Sequence, residues 1–370
     1  MSLRIATFNI ENLMNRFDFS GFKNNLNQDR ALALYEIRDE AEYRMLESAR
    51  SVALADDARQ LSALAIAATR ADILCLQEVD NVEALNAFEY GYLFKMIGAG
   101  YREKYISAGN DGRGIDVAVM TRPQTAHGEP IEFVRMTSHA HVTFSDLGLH
   151  TPELAMSGIQ AHERIFRRDC LELDLRIGGR PITIYNVHFK SMGGGRNGLS
   201  GREVSMPVRM AEARAVRRII EGRFGRARAS EKLWAICGDI NDYRERIVIS
   251  GDAFSGHRFE RVTETDSPLD VLTAGGLCEN VVERLPELER WTLYHTRGPQ
   301  ERHLCQLDYI LLSRRLAETN AQALPQIIRN GQPYRTIFPD GQEVERYPRT
   351  GWDRPKASDH CPVAITVDIV

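Results

Sequence analysis

The stretch CLELDLRIGGRPITIYNVHF, at residues 170–189, contains two strand-like runs separated by Gly178 and Gly179. A pair of glycines suits a two-residue hairpin turn, because glycine adopts the left-handed backbone conformations that such turns require. The stretch therefore predicts an antiparallel hairpin. Its second run carries Asn186 and His188 near the end. These residues are two apart, so they point to the same face of the predicted strand.

Strand-like runs rich in Val, Ile, Leu and Tyr recur along the chain and are bounded by Gly, Pro, Asn or Asp. The other runs are RIATFN at 4–9, DILCLQE at 72–78, DVAVMTR at 116–122, LWAICGD at 233–239, QLDYILLS at 306–313 and PVAITVDIV at 362–370. Helical spacing of apolar residues predicts helices over 41–69, 81–98 and 206–222. Residues 14–40 and 242–300 are irregular, and long loops of this kind are usually functional or disordered.

This order of strands, hairpins and helices predicts sheet layers covered by helices. The pattern alone leaves open a doubly wound parallel sheet or two packed mixed sheets.

Composition narrows the class of protein. The chain has 370 residues, 43% hydrophobic residues and a formal net charge of -4, which is typical of a globular protein. This charge argues against binding to nucleic acid or membrane by bulk charge alone. Six single cysteines predict reduced core residues, and no signal peptide or membrane span is evident. We therefore expect a cytoplasmic protein without stable membrane association.

Polar side chains recur where the predicted strands begin or end. They are Asn9, Glu11, Glu78, His188, Asp239, Asn241, Asp308, Asp359 and His360. Strand ends at one sheet edge lie close together, and converging carboxylates repel each other unless a cation joins them. Oxygen donors without a Cys cluster or an HExxH motif favour Mg²⁺ or Mn²⁺ over Zn²⁺. Two histidines beside such a cation suit acid-base chemistry on a phosphate.

Seven short motifs identify the chain as similar to the endonuclease/exonuclease/phosphatase superfamily of metal-dependent phosphoesterases. In chain order they are TFNIENL, LCLQEVD, GIDVAVMTR, NVHFKS, CGDIND, LDYILLS and SDHCPV, and they span residues 7–363. Each motif alone is weak, but seven in this order are specific. The resemblance implies an α+β fold, a four-layer α/β/β/α sandwich of two mixed β-sheets. It also implies one catalytic domain over residues 1–370.

The resemblance implies roles for individual residues. The catalytic residues are expected to be His188, Asp239, Asn241, Asp308 and His360. The metal site is expected to involve Asn9, Glu78, Asp359 and Glu11, with Glu78 as the direct carboxylate ligand. Substrate contacts are expected from Asn186, Lys190, Arg168 and Asp116, with Asp116 as a candidate partner of His188. Asp308 would orient the imidazole of His360, and Asp239 would align or activate the attacking water.

The resemblance and the residues together predict a Mg²⁺-dependent phosphoesterase, with Mn²⁺ as an alternative cation. We expect a monomeric nuclease that hydrolyses phosphodiester bonds, so its partner would be a phosphodiester substrate, nucleic acid first. A phosphatase or lipid phosphodiesterase of the same superfamily is the alternative. A non-catalytic binding module would be expected to lose some of the site residues, and all are present.

The run GGGRNG at 193–198 fits the GxGxxG pattern of dinucleotide-binding loops. His188 already occupies the end of the preceding strand, and the chain continues through SGREV before the predicted helix. We interpret the run as a glycine-rich loop beside the site.

Overall fold

The computed structural model of the protein describes residues 1–14, 38–42, 56–196, 198–297 and 301–370. The strands of this part of the chain are β1 Ser2–Leu13, β2 Ile73–Val79, β3 Glu103–Ile106, β4 Asp116–Thr121, β5 Ile131–Ser138, β6 Cys170–Ile177, β7 Arg180–His188, β8 Trp234–Asp239, β9 Glu245–Asp252, β10 Gly256–Thr263, β11 Cys278–Asn280, β12 Leu293–Thr296, β13 Arg302–Cys305, β14 Asp308–Ser313, β15 Gln326–Ile327 and β16 Val363–Asp368. Its α-helices are α1 Asp56–Thr69, α2 Val82–Phe88, α3 Phe94–Ile97, α4 Pro152–Met156, α5 Gly201–Phe224, α6 Pro268–Thr273 and α7 Arg314–Thr319.

The described strands form two six-stranded sheets and one four-stranded sheet. The first sheet has the order β15-β16-β1-β2-β4-β3, and the second has the order β11-β14-β8-β7-β6-β5. In each of them one pair is parallel, β1 with β2 and β7 with β8, while the other pairs are antiparallel. Both sheets are therefore mixed, which resolves the alternative left open by the sequence pattern.

The two six-stranded sheets pack face to face with helices on their outer faces. The inner core joins residues such as Ile5 and Val119 of the first sheet to Leu173 and Ile310 of the second. On the outside, α1 packs against the first sheet, and α5 packs against the second. The predicted four-layer sandwich is confirmed. Among the described residues, none of the helices combines the length and the apolar character of a membrane span.

The β6–β7 hairpin forms as predicted. Gly178 and Gly179 occupy its turn with φ angles of 54° and 87°, in the left-handed region that a type I′ turn uses. The sequence 81–98 is helical as predicted, with a π-helical turn at Glu89–Leu93 between α2 and α3. Of the predicted helix over 41–69, α1 is described, whereas residues 43–55 lie outside the described residues. The same is true of residues 15–37 within the irregular segment 14–40.

Two sequence predictions about local structure are wrong. Segment 242–300 contains β9, β10, β12 and α6, and with β13 it builds the third sheet, in the order β10-β9-β13-β12. Its strands are half-exposed and rich in charged residues, so their apolar signal is weak. Helix α5 begins at Gly201 rather than 206, because Ser200 and Glu203 form a capping box. SGREV is therefore the capped start of this helix.

Asn186 joins the two large sheets through the core. Its side-chain Nδ2 donates to the backbone oxygens of Leu76, at 3.0 Å, and Ala118, at 2.8 Å. Its Oδ1 accepts from Gln77 Nε2 at 2.8 Å. The residue is fully buried, so the predicted contact of Asn186 with substrate is wrong. A buried amide that satisfies its donors and acceptor in this way fixes how one sheet sits on the other.

Replacing Asn186 with leucine keeps a similar volume but removes its three buried hydrogen bonds, two to backbone oxygens of the first sheet and one from Gln77 Nε2, which still donates to Thr7 Oγ1 at 3.2 Å. We expect Asn186→Leu to lower the free energy of unfolding by about 3–5 kcal/mol. Urea denaturation measures this change. The matched control is Asn86→Leu on the exposed face of α2, where surface substitutions usually change stability by about 0.5 kcal/mol or less. Equal stability of the two variants would contradict the role of Asn186.

Candidate active site

Strand pairing brings the polar strand ends to one edge of the sandwich. Asp239 lies between two strand partners. His188 pairs with it in the parallel direction, and Asp308 pairs with it in the antiparallel direction. In the first sheet, Asn9 is the partner of Gln77, the residue before Glu78. The ends of β1, β2, β7 and β8 and the start of β14 therefore meet at one place.

Gly238 lets β8 approach β7 closely beside this place. Its φ is 143°, and a Cβ there would collide with the carbonyl oxygen of Val187. Glycine is required at this position because no other residue fits both the conformation and the space.

The carboxylate of Asp239 is the centre of the site. Its Oδ1 accepts from the Asn241 backbone N–H at 2.7 Å. Its Oδ2 accepts from Asn9 Nδ2 at 3.0 Å and Asn241 Nδ2 at 3.1 Å. The Nε2 atoms of His188 and His360 lie 3.5 Å and 3.9 Å from the same oxygen. Burial raises the pKa of Asp239 to about 7, with His360 opposing the shift and Asp308 adding to it.

His360 and Asp308 form the predicted dyad. His360 Nδ1 lies 2.8 Å from Asp308 Oδ2, which also accepts from Thr292 Oγ1 at 2.7 Å. Burial lowers the pKa of His360, but Asp308, Asp239 and Asp359 outweigh burial and raise it well above its usual range. The dyad therefore favours an imidazolium. Thr292 was missed by sequence reasoning, because a lone threonine between two motifs carries no signal.

His188 has the opposite electrostatic environment. Burial, then the charges of Arg168 and His360, lower its pKa well below the usual range, so the ring is neutral. Its Nδ1 is buried and has no hydrogen-bond partner in the described part of the chain. Asp116 accepts from the Gly109 backbone N–H at 2.7 Å instead. The predicted pairing of Asp116 with His188 is therefore not formed.

Glu78 and Asp359 face the same groove as Asp239 and the two histidines. Glu78 Oε1 lies 3.5 Å from Asn9 Nδ2 and 4.0 Å from His188 Nε2. Burial, then the charge of Asp359, raise the pKa of Glu78. The residues Glu78, Asp239 and His360, which are far apart in the sequence, thus surround one cavity.

The predicted substrate residues Arg168 and Lys190 differ in placement. Arg168 lines the groove, and its Nη1 donates to the Phe189 oxygen at 3.0 Å while its Nε lies 2.9 Å from Asp111 Oδ2. Lys190 Nζ donates to the backbone and side-chain oxygens of Ser191, at 3.1 Å and 3.3 Å. The groove-lining residues include Arg168 but not Lys190. Arg113, which the sequence did not single out, also lines it.

The groove is much larger than the catalytic cluster. Its volume is about 1210 Å³, and it runs between the start of α5 and the β12–β13 hairpin of the third sheet. Three rings follow one another along this wall. The Tyr243 and His303 ring centroids are 5.8 Å apart at 62°, and His303 stacks on His295 at 4.6 Å and 27°.

Comparison with known proteins agrees with the motifs. The sequence model of the Endonuclease/Exonuclease/phosphatase family matches residues 6–360. The chain belongs to this family. Its members are hydrolases that act on phosphoesters, and they typically use divalent metals. Among curated proteins, none has a sequence that matches the chain.

Several solved structures share the family fold. The human Nocturnin catalytic domain with bound sulfate anion is 14% identical, with a TM-score of 0.51 and coverage of 100% of this chain and 95% of that chain. A family protein from Bacteroides thetaiotaomicron is 13% identical, with a TM-score of 0.51 and coverage of 100% and 99%. The D. rerio TDP2 complexed with single strand DNA product is 15% identical, with a TM-score of 0.50 and coverage of 100% and 99%. At these identities the likeness concerns the fold.

The donor set of the site fits a hard divalent cation of the kind the family uses. In the described residues, His, Cys, Asp and Glu side chains form no group of three or more that could hold a metal by itself. Mg²⁺ usually takes one or two carboxylates and keeps several waters, so it does not need such a cage. The half-buried Glu78, with its raised pKa, and the neighbouring Asp359 would supply those carboxylates.

Glu11, the fourth residue expected at the metal, is held by cationic side chains. Its Oε1 lies 2.6 Å from Arg354 Nη2, and its Oε2 lies 3.2 Å from Lys356 Nζ and accepts from the Asp359 backbone N–H at 3.0 Å. Both carboxylate oxygens are engaged by these groups and Glu11 is not among the groove-lining residues, so its role as a metal ligand stays a prediction. The residue braces the segment that carries Asp359 and His360.

Glu78→Gln removes the charge of the expected carboxylate ligand, whereas Glu11→Gln changes a carboxylate that is paired with Arg354 and Lys356. We expect Glu78→Gln to weaken Mn²⁺ binding by about 10-fold or more. Glu11→Gln should weaken it much less, and it serves as the matched control. Isothermal titration calorimetry measures both affinities without reference to activity. Equal losses of Mn²⁺ affinity in the two variants would indicate that Glu11 is a metal ligand as well.

The buried His303 predicts a pH dependence of stability. Burial, then the charges of His295 and Arg246, lower its pKa to about 3. The unfolded chain, with a histidine pKa of about 6.5, binds the proton more tightly, so stability should fall as the pH falls below about 6.5. Urea denaturation between about pH 7 and pH 5 measures the slope.

His303→Gln removes the titrating group, so stability should then depend less steeply on pH. His127→Gln on the exposed turn before β5 is the control. A slope that is unchanged in His303→Gln would show that other groups cause it.

Proposed function

We propose that the protein is a divalent-metal-dependent phosphodiesterase that acts as a nuclease, with residues 1–370 forming one catalytic domain. The observation that carries this proposal is the setting of Asp239. Its carboxylate lies between two histidines, His188 and His360, whose pKa values shift in opposite directions. A base, a proton donor and a neutral hydrogen-bonding ring thus meet within one cavity.

The roles follow from these protonation preferences. Asp239, with a pKa of about 7, accepts a proton from the attacking water. His360 donates to a phosphate or leaving oxygen, because Asp308 holds its ring and favours the imidazolium. The neutral His188 hydrogen-bonds a phosphate oxygen, and Asn241 keeps Asp239 oriented.

Charge on the phosphate needs cations as well as hydrogen bonds. Arg168, buried at the groove wall, supplies a fixed positive charge. Mg²⁺ or Mn²⁺ would be held by Glu78 and Asp359, with the Asn9 amide beside them. When bound, the ion neutralises the negative charge that builds up on a phosphate oxygen during hydrolysis.

The size of the groove favours a diester over a monoester. A monoester presents one group beyond the phosphate, whereas the groove continues past the catalytic cluster toward both α5 and the β12–β13 hairpin. Six buried cysteines without disulfides support the expectation of a reducing, cytoplasmic compartment.

Hydrolysis of bis-p-nitrophenyl phosphate and p-nitrophenyl phosphate separates the reaction classes. We expect turnover of the diester with Mg²⁺ or Mn²⁺, loss of turnover with EDTA, and little turnover of the monoester. A plasmid nicking assay then tests DNA as the substrate. Preference for the monoester would favour a phosphatase. Diester turnover without cleavage of DNA or RNA would favour a lipid phosphodiesterase, and inactivity with every cation would favour a binding module.

Removal of either proton-transfer group should stop the reaction while the protein stays folded. Asp239→Asn and His360→Ala should each lower kcat by about 10²–10⁴. His127→Ala, at an exposed turn, is the control, and circular dichroism checks the fold. Near-normal kcat in either site variant would remove that residue from the mechanism.

A further inference from the structure

The β12–β13 hairpin has two chemically different faces. Tyr294 and Leu304 pack into an apolar cluster with Trp291 and Phe338. The opposite face turns toward the groove and presents Leu293, His295, His303 and Cys305. One side of the hairpin therefore anchors it, and the other side lines the groove, where His295 is the partly exposed residue.

The hairpin begins at the catalytic dyad. Leu293 pairs with His360 through an isolated bridge, and the preceding Thr292 donates to Asp308 at 2.7 Å. His295 lies two residues further along the same face, about 7 Å from the position of Leu293.

The row of rings on this wall ends at His295. Tyr243, two residues after Asn241, contacts His303 edge to face, and His303 stacks on His295. The His295 side chain is 30% exposed in the groove, whereas Tyr243 and His303 are buried. A further planar ring could continue the row only at His295.

The charges along the wall indicate what kind of ring fits. Burial lowers the pKa of both His295 and His303, so the stacked pair is uncharged at neutral pH. Arg246 and Arg297 line the groove near the pair, and so do Glu301, 3.5 Å from His295 Nε2, and Glu264, 3.2 Å from Arg246 Nε. These acids offset the nearby positive charge, so the uncharged stacked pair suits a flat, uncharged ring.

We propose that the inner face of the β12–β13 hairpin is a subsite for a nucleobase of the substrate, with His295 as the stacking residue. This inference rests on the proposed phosphodiesterase function and adds a recognition element to it. The subsite would bind bases with little sequence preference, because every base offers a planar face for stacking.

The test compares esters that share one leaving group. The p-nitrophenyl phosphate esters at the 5′ and the 3′ position of thymidine carry a base, and methyl p-nitrophenyl phosphate does not. The measured quantity is the ratio of kcat/KM for each nucleoside ester to kcat/KM for the methyl ester. In His295→Ala this ratio should fall about 5- to 100-fold for at least one nucleoside ester, the range that loss of one base-stacking contact produces.

Two further variants make the test specific. His295→Phe restores an aromatic face and should keep the ratio close to that of the native protein. His257→Ala, on β10 of the same sheet, should leave the ratio unchanged. Unchanged ratios in His295→Ala for both nucleoside esters would overturn the subsite while leaving the phosphodiesterase intact. No turnover of any of the three esters by the native protein, with Mg²⁺ or Mn²⁺, would overturn the proposed function itself.

Discussion

A buried carboxylate at a strand end, Asp239, is the group on which the rest of the site depends. A charge removed from water in this way is costly unless hydrogen-bond donors surround it. Asn9 and Asn241 donate to it, and the Nε2 atoms of His188 and His360 lie 3.5 Å and 3.9 Å from it. Asn241 is local, whereas His188 requires the register of β7 on β8, and Asn9 and His360 require a particular spacing between the two sheets. The geometry of the site therefore depends on the arrangement of the whole sandwich and not on one loop.

Polar contacts in the core hold the two sheets in this arrangement. Asn186 bonds two backbone oxygens of the opposite sheet and the amide of Gln77. Apolar packing alone tolerates small shifts between layers, whereas these hydrogen bonds have preferred distances and directions. Asn186 lies two residues before His188 on β7, so the contact that sets the sheet spacing lies directly beneath the site. Gly238 sets the spacing within the second sheet in the same way.

The third sheet forms one wall of the groove. Its β12–β13 hairpin supplies this wall, and Thr292, just before β12, holds Asp308. The sequence pattern predicts only a loop-rich segment here, because β9 and β10 are half-exposed and rich in charged residues, and β12 and β13 are only four residues long. The missed residues Thr292, Tyr243, His295 and His303 all belong to this wall or border it. The sequence pattern missed these residues because the third sheet has little apolar periodicity.

The sequence by itself determined the strand-like runs, the β6–β7 hairpin, the family and the polar residues at the strand ends. These features are local, since a run of a few residues shows its period, its turn and its motif. Only the tertiary structure decided which of those polar residues meet. Glu11 fits a motif but is engaged by Arg354 and Lys356, and Asn186 fits another but is buried in the core. The role of a side chain depends on the residues that other strands place beside it. A short motif does not contain those residues.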